Sequence, residues 1–297
     1  MSRSGPPPLP QGAGRWVAGA RPRTLPAAVV PVAVGAACAV GEGGMIWWRV
    51  AAALVVSLGL QVGTNYANDY SDGVRGTDTA RVGPVRLVAS GLAPPKAVKR
   101  AALLAFGVAA LAGLALAIAV GPILLLVGAA AIAAGWFYTG GPKPYGYYGF
   151  GELFVFVFFG LVATAGTTYA QVLYVPQEAW LGGAGAGLLA CAVLLANNLR
   201  DLPQDRAAGK RTLTVLIGKR ATQWVFSIFV LLAFAIAVLL ALVYPIAWLA
   251  LMALLAALPA ILIVWTYRLP KELLIALALT SFTSLAYGAA LCWAFVG

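Results

Sequence analysis

The chain has 297 residues, of which 62% are hydrophobic and only 10% are charged. Soluble globular domains carry about 25% charged residues, so this composition excludes a soluble domain and indicates an integral membrane protein. The long apolar runs also exclude an outer-membrane barrel, whose strands alternate in polarity over about 10 residues. The sequence contains no histidine, which excludes histidine acid–base chemistry and histidine-bound metals.

Nine apolar runs of roughly transmembrane length follow a proline-rich N-terminus. Residues 1–14 are predicted to form a disordered cytoplasmic tail, and residues 15–297 a single transmembrane domain. Cys38, Cys191 and Cys292 lie within apolar runs and are interpreted as small buried hydrophobes. The predicted spans cover residues 16–40, 46–68, 97–120, 122–138, 150–172, 180–199, 222–242, 245–267 and 272–296.

The basic residues predict the orientation of the chain. With nine spans, every Lys and Arg except Arg49 falls on the same side of the membrane. The positive-inside rule makes that side cytoplasmic, and we expect the protein in the inner (plasma) membrane. The net charge of +11 is interpreted as a topology signal and an attraction to anionic lipid, not as a nucleic-acid-binding surface.

The first predicted span opens with Arg21 and Arg23 among prolines, which fits either an anion site at membrane depth or anchoring at the surface. The second span ends in a polar stretch. If that stretch is helical, the side chains of Asn65, Asn68, Asp69 and Asp72 fall at i, i+3, i+4 and i+7 and share one face. The following loop is rich in glycine and arginine and is predicted to be a flexible lid that closes on phosphate.

The connection between the fourth and fifth spans is rich in tyrosine. It ends at Glu152, an acid that is costly at the start of an apolar helix and therefore suggests a function. The sixth span ends in a second polar stretch, where Asp201 and Asp205 stand at i and i+4. The two polar stretches hold five of the nine acidic residues, and we expect them to face each other.

Clustered carboxylates repel one another unless positive charge lies between them. Neighbouring Arg and Lys residues could supply that charge as ion pairs. Alternatively, the carboxylates could hold Mg²⁺, which takes one or two carboxylates and bridges to substrate phosphates. The second interpretation predicts a diphosphate on a membrane-soluble molecule. An allylic diphosphate would ionise to a carbocation that aromatic faces stabilise and a dry pocket protects.

These stretches resemble the UbiA-type intramembrane prenyltransferases over essentially the whole chain. The resemblance rests on ARPRTL at 20–25, NDYSD at 68–72, YTGGPKPY at 138–145 and NNLRD at 197–201. The last of these and RVGPVR at 81–86 favour the branch that prenylates 1,4-dihydroxy-2-naphthoate. The chain departs from many relatives in having Asn rather than Asp at the first position of NDYSD.

The resemblance implies an all-α bundle of nine transmembrane helices, with a central cavity that is open to lipid and capped by cytoplasmic loops. It implies Mg²⁺-dependent transfer of a polyprenyl group from polyprenyl diphosphate to 1,4-dihydroxy-2-naphthoate, with loss of CO₂ and diphosphate, to give a demethylmenaquinone. The implied metal and diphosphate ligands are Asn68, Asp69, Asp72, Asp78, Asp201 and Asp205.

The resemblance also implies roles for residues around these ligands. Tyr138 and Tyr145 would flank the carbocation or the acceptor, and Arg21 or Lys143 would meet the acceptor carboxylate. The implied catalytic set is Asp69, Asp72, Asp201, Asp205, Lys143 and Tyr138. The implied substrate-binding set is Asn65, Asn68, Arg21, Arg75, Arg81, Tyr145, Asn197, Lys210 and Arg211.

Three alternatives stay open at this point. An ion-coupled transporter is disfavoured because both acidic clusters end even-numbered spans, whereas inverted repeats would place them with opposite orientation. A CDP-alcohol phosphotransferase ranks low because two of its later aspartates are missing at the required spacing. Within the same superfamily, 4-hydroxybenzoate or homogentisate could replace the naphthoate as acceptor.

Overall fold

The computed structural model describes residues 10–77 and 85–297, and every regular element in these ranges is helical. The all-α membrane fold predicted from the apolar runs is therefore confirmed. The helices are α1 (Ala13–Ala20), α2 (Pro26–Gly41), α3 (Trp47–Arg75), α4 (Pro95–Val120), α5 (Ile123–Phe137), α6 (Gly151–Val172), α7 (Gln177–Ala207), α8 (Leu213–Ala241), α9 (Pro245–Thr266) and α10 (Pro270–Val296).

The number of membrane spans comes close to the expected nine. In the described part of the chain, seven helices are long and apolar enough to cross a membrane, namely α3, α4 and α6 to α10. Helices α1 and α2 meet at a bend of 56° and make an eighth span if they cross as one broken helix. Helix α5 fills the place of the fourth predicted span but has only 15 residues. The chain is thus a multi-pass membrane protein whose span count is approximate.

Several predicted helix ends are wrong. The structure continues α3 to Arg75, past residue 68, and α7 to Ala207, past residue 199. Arg200, expected in a loop, therefore lies within α7. Helix α1 starts at Ala13, inside the stretch predicted as a tail, while residues 1–9 of that tail lie outside the described residues. Hydropathy falls before a helix ends wherever the last turns carry buried, hydrogen-bonded polar side chains.

Small residues let the helices that surround the site approach closely. A Cβ on Gly35 of α2 would lie 2.3 Å from the carbonyl oxygen of Thr164 in α6. A Cβ on Gly160 of α6 would lie 2.6 Å from the Cα of Gly187 in α7. Helix α6 therefore crosses both neighbours at backbone distance, and side chains larger than glycine would push the walls of the site apart.

Arg49 ties three helices together at the end of the bundle where α3 begins. Its guanidinium donates to the carbonyl oxygen of Ala170 near the end of α6 (2.9 Å) and to that of Ala119 near the end of α4 (3.2 Å). The polar motifs of α3 and α7 lie at the C-terminal ends of those helices. Arg49 therefore holds the end of the bundle opposite to those motifs.

Candidate active site

A cavity of about 620 Å³ opens between the helices. Its walls come from every helix except α8 and α9, together with residues of the connecting loops. One end of the cavity is polar and the rest is an apolar arm. The arm reaches Ala53 of α3, roughly 28 Å along the helix axis from Asp72 at about 1.5 Å per residue. That depth approaches the ~30 Å thickness of a bilayer's hydrocarbon core.

The polar end of the cavity collects many of the predicted site residues from distant parts of the chain. Side chains from the polar ends of α3 and α7 line the same cavity, so these two helix ends lie close together. The predicted residues that line the cavity are Arg21, Asn65, Asn68, Asp72, Tyr138, Tyr145, Asn197 and Lys210. Three arginines that were not among the predicted site residues also line the cavity, Arg23, Arg86 and Arg200, and so does Asn198.

Arg21 lies at the bend between α1 and α2 in a left-handed conformation, with φ of 54°, which is strained for a residue with a side chain. Asn65 stabilises this bend, because its side-chain amide donates to the carbonyl oxygen of Ala20 (2.9 Å) and to the hydroxyl of Thr24 (3.1 Å). Gln61 adds a hydrogen bond to the same hydroxyl (3.2 Å). The polar face of α3 thereby holds the Arg21 backbone at the cavity wall.

Asp72 joins the two halves of the site. One of its carboxylate oxygens accepts a hydrogen bond from the Tyr147 hydroxyl (2.7 Å), and the other lies 3.4 Å from the ammonium of Lys210. Burial raises the pKa of the Tyr147 phenol, and the negative charge of Asp72 raises it further, so the phenol stays a proton donor. The guanidinium of Arg75 lies 5.3 Å from the centre of the Tyr147 ring.

Asp69 is fully buried and holds the turn that follows the undescribed loop segment. Its two carboxylate oxygens accept backbone N–H bonds from Leu87 (2.7 Å) and Val88 (3.0 Å). The structure thus gives Asp69 a positioning role that the sequence does not predict, beside its predicted role as a ligand.

The second motif is also engaged with the protein. The Arg200 guanidinium donates two hydrogen bonds of 2.8 Å to the carboxylate of Asp201, and both side chains are buried. Asp205 lies one turn further along α7. Asp201 is therefore held by Arg200, which itself lines the cavity.

Six predicted ligands in the described part of the chain do not line the cavity: Asp69, Asp201, Asp205, Arg75, Lys143 and Arg211. Arg75 is exposed and its guanidinium donates to the carbonyl oxygens of Thr139 and Gly141. Lys143 and Arg211 are exposed as well. Asp78 and Arg81, and with them most of the predicted lid, lie outside the described residues.

Two residues that sequence reasoning left without a role belong to this region. Glu152 is 5% exposed at the start of α6, and one of its oxygens accepts a hydrogen bond of 2.9 Å from the side-chain amide of Asn198. The acid at the start of an apolar helix was a usable signal for Glu152. Asn198 is adjacent to a predicted residue, but only the structure shows which of the two asparagines contacts α6.

The oxygen donors at the polar end fit a hard cation such as Mg²⁺. Asp72 and Asn68 offer a carboxylate and an amide oxygen on one face of α3, and the cavity has no soft ligand among its described lining residues. Within residues 10–77 and 85–297, no three acidic or cysteine side chains lie close enough to hold a metal ion by themselves. This arrangement suits Mg²⁺ bound through one or two carboxylates plus substrate phosphates.

Comparison with known proteins identifies the family. Residues 28–286 match the UbiA prenyltransferase family. The chain belongs to this family. It is 54% identical over 215 residues to the 1,4-dihydroxy-2-naphthoate octaprenyltransferase of Mycobacterium tuberculosis, covering 71% of this chain and 73% of that relative. The Escherichia coli protein of the same name is 38% identical over 218 residues, covering 69% of this chain and 68% of that relative.

Solved structures of UbiA homologues share the fold of this chain. The apo homologue from Aeropyrum pernix superposes with a TM-score of 0.69 at 15% identity and covers 89% of this chain and 96% of its own. The homologue from Archaeoglobus fulgidus bound to GPP and Mg²⁺ has a TM-score of 0.65 at 16% identity, with coverage of 94% and 99%. The resemblance to the UbiA-type fold predicted from the sequence is therefore confirmed.

Proposed function

We propose that this UbiA family member transfers a polyprenyl group from a polyprenyl diphosphate to 1,4-dihydroxy-2-naphthoate, with loss of CO₂ and diphosphate, to give the quinol form of a demethylmenaquinone. The observation that carries the proposal is one cavity with a cationic, oxygen-rich end and a long apolar arm. A prenyl diphosphate has two matching parts, a charged diphosphate and a long apolar chain. The names of the relatives at 54% and 38% identity support the naphthoate as acceptor.

The diphosphate binds at the polar end. Lys210, Arg86 and Arg23 line that end and supply the positive charge that two phosphates require. Mg²⁺, when bound, would neutralise the charge that develops on the departing diphosphate. Asp72 and Asn68 would hold the ion on the cavity wall. Asp69, Asp78, Asp201 and Asp205 complete the predicted ligand set as part of this proposal.

The prenyl group ionises beside aromatic side chains. The Tyr138 and Tyr145 ring centres lie 5.5 Å apart, and Phe154 stacks on Tyr145 at 4.0 Å. Aromatic faces stabilise a nearby cation by electrostatic attraction. The apolar arm below them excludes water, which would otherwise trap the carbocation as an alcohol.

The acceptor carboxylate binds to a cavity arginine. Arg21 lines the cavity, whereas Lys143 is exposed outside it, so Arg21 is the better candidate of the two predicted residues. The ring carbon that bears the carboxylate forms a bond to the prenyl carbon. The electron pair of the bond to the carboxylate then returns to the ring as CO₂ leaves, so the attacked carbon needs no proton to be removed.

The orientation belongs to the same proposal. The polar end of the cavity lies among the loops that carry most of the basic residues, and positively charged loops favour the cytoplasmic side. The active site would therefore face the cytoplasm of a cell whose plasma membrane holds the enzyme and both lipid-soluble partners.

The test is a purified protein in nanodiscs supplied with prenyl diphosphate, Mg²⁺ and one aromatic acid at a time. With 1,4-dihydroxy-2-naphthoate we expect the mass of demethylmenaquinol, or of the quinone that forms from it in air, and stoichiometric release of CO₂ and diphosphate. Product from 4-hydroxybenzoate or homogentisate alone would move the acceptor to another branch. No diphosphate release with any acceptor would overturn the enzymatic proposal and favour a transporter.

A further inference from the structure

The asparagines at the polar end of the cavity do not all point the same way. The side-chain oxygen of Asn68 accepts a hydrogen bond from the Thr139 hydroxyl (2.7 Å). That of Asn65 accepts one from the Gln61 amide (3.4 Å). Asn198 is reversed, because its NH₂ group donates to Glu152. Asn198 lines the cavity. Among the described residues, none donates a hydrogen bond to its side-chain oxygen.

Glu152 determines this reversed orientation. The NH₂ group of Asn198 donates to a carboxylate oxygen of Glu152, so the amide oxygen of Asn198 is turned away from Glu152. The second carboxylate oxygen of Glu152 is buried with no hydrogen-bond partner in the described structure. An acid that is 5% exposed and only half satisfied is costly, and such residues in membrane proteins usually serve a function.

The pair of Glu152 and Asn198 lies close to Tyr138, which is expected to flank the carbocation or the aromatic acceptor. A Cβ on Gly151, the residue before Glu152, would lie 3.1 Å from the Tyr138 ring and 3.5 Å from its hydroxyl oxygen. Asn198 and Tyr138 therefore flank the same part of the cavity wall. Glu152 itself does not line the cavity, so any influence it has on a ligand passes through Asn198.

We propose that Glu152 is a positioning residue that holds Asn198 with its amide oxygen toward the cavity, and that this oxygen accepts a hydrogen bond from a ring hydroxyl of the aromatic acceptor. The inference rests on the proposed function and assigns a specificity determinant to it. Hydrogen bonding of the NH₂ group to a carboxylate polarises the amide and strengthens its oxygen as an acceptor. A ring hydroxyl that donates a hydrogen bond to this oxygen has a more electron-rich oxygen of its own. It therefore donates more electron density to the ring carbon that attacks the carbocation.

The inference is tested with acceptor analogues that lack one hydroxyl or both. The probes are 1,4-dihydroxy-2-naphthoate, 1-hydroxy-2-naphthoate, 4-hydroxy-2-naphthoate and 2-naphthoate, measured as competitive inhibitors or substrates against wild type and Asn198→Ala. We expect the variant to weaken binding about tenfold for the dihydroxy compound and for one monohydroxy compound, the loss of roughly one hydrogen bond. Binding of the other two compounds should stay within about twofold, as should the KM for prenyl diphosphate.

Glu152→Gln and Glu152→Asp should reproduce the same ligand-selective loss at smaller size, since each leaves Asn198 intact but removes the carboxylate at its present position. Gln223→Ala is the matched control. Gln223 is a buried amide whose NH₂ group donates to the carbonyl oxygen of Val264 (2.7 Å) away from the cavity. That variant should change none of the ratios between ligands.

Equal weakening of all four naphthoates by Asn198→Ala, or a rise in the KM for prenyl diphosphate, would overturn the inference and leave the proposed function standing. The same holds if the Glu152 variants discriminate among the ligands as wild type does. If the wild-type protein binds none of the naphthoates, the proposed function fails and the inference fails with it. Thermal unfolding of each variant in detergent separates ligand effects from loss of the fold.

Discussion

The ammonium of Lys210 lies 3.4 Å from a carboxylate oxygen of Asp72, although 138 positions separate the two residues in the chain. This contact joins the loop after α7 to the end of α3. The other oxygen of Asp72 accepts a hydrogen bond from the Tyr147 hydroxyl. One carboxylate therefore connects the end of α3 with the loop before α6 and the loop after α7. The polar end of the cavity is therefore assembled by tertiary contacts and not by any single motif.

Lys210→Met should raise the KM for prenyl diphosphate about tenfold or more, because a charge-assisted contact to phosphate contributes roughly 1.5–3 kcal/mol. Steady-state kinetics with varied donor measures the effect. Lys219→Met is the matched control: it removes the same charge from an exposed lysine that lies over the Tyr267 ring and does not line the cavity. Equal effects of both substitutions would refute a specific role for Lys210.

Asp72→Asn and Asp69→Asn should both reduce turnover at least about a hundredfold, but only Asp69→Asn should loosen the turn at Leu87. An asparagine at position 69 offers one oxygen to two backbone N–H donors and leaves one of them facing an NH₂ group. Hydrogen–deuterium exchange should accelerate around residues 87 and 88 in Asp69→Asn alone. Normal turnover by both variants would remove the metal-cage interpretation.

Activity should need Mg²⁺, fall to background in excess EDTA and return when Mg²⁺ is restored. Because the described donors suit an ion shared with phosphate, Mg²⁺ should raise the thermal unfolding temperature much more with diphosphate present than alone. Calorimetry or a thiol-reactive dye assay would measure this. A stabilisation by Mg²⁺ that is independent of diphosphate would instead indicate a cage made by the protein.

Arg21→Gly should raise the KM for the acceptor about tenfold or more while keeping the bend between α1 and α2. Glycine adopts φ of 54° without strain, so this substitution removes the guanidinium and spares the backbone. Lys143→Ala should leave the acceptor KM within about twofold, since Lys143 is exposed outside the cavity. Naphthalene-1,4-diol, which lacks the carboxylate, should bind both variants like wild type. The reverse ranking of the two substitutions would assign the carboxylate to Lys143.

Bulky side chains in the apolar arm should discriminate between prenyl donors by length. Gly128 and Gly166 line the arm, and a Cβ on either would meet no atom within 4 Å. We expect Gly128→Leu and Gly166→Leu to lower kcat/KM about tenfold or more for long-chain donors, and much less for a ten-carbon donor. Gly107 has the same free space but does not line the cavity, so Gly107→Leu should not change this ratio.

The sequence predicts the shared faces of the site better than its boundaries. Helical spacing alone places Asn65, Asn68 and Asp72 on one face, and all three line the cavity. Hydropathy predicts the end of the second span at residue 68, yet α3 continues to Arg75. The reason is that loop N–H groups, a phenol and an ammonium satisfy its last polar side chains, and these partners come from remote segments.

The contacts that pair polar groups could not be predicted for the same reason. Arg200 looks like a loop residue by charge, but it is 2% exposed because its guanidinium neutralises the adjacent Asp201. Tyr147 sits in a run of tyrosines that fits an aromatic belt at the membrane surface. Its hydroxyl contact to Asp72 depends on how the connection between α5 and α6 folds back, which no local pattern encodes.

Helix α6 contains a π-helical turn at Phe156–Val162, where it crosses α7. Such a turn adds one residue to the regular winding, and each residue rotates an α-helix by about 100°. The extra residue lets Phe154 and Gly166 face the same cavity while Gly160, between them, faces Gly187. Deleting a single residue there would rotate everything on one side of the turn by more than a quarter revolution, so a one-codon deletion within the turn should turn Phe154 or Gly166 away from the cavity.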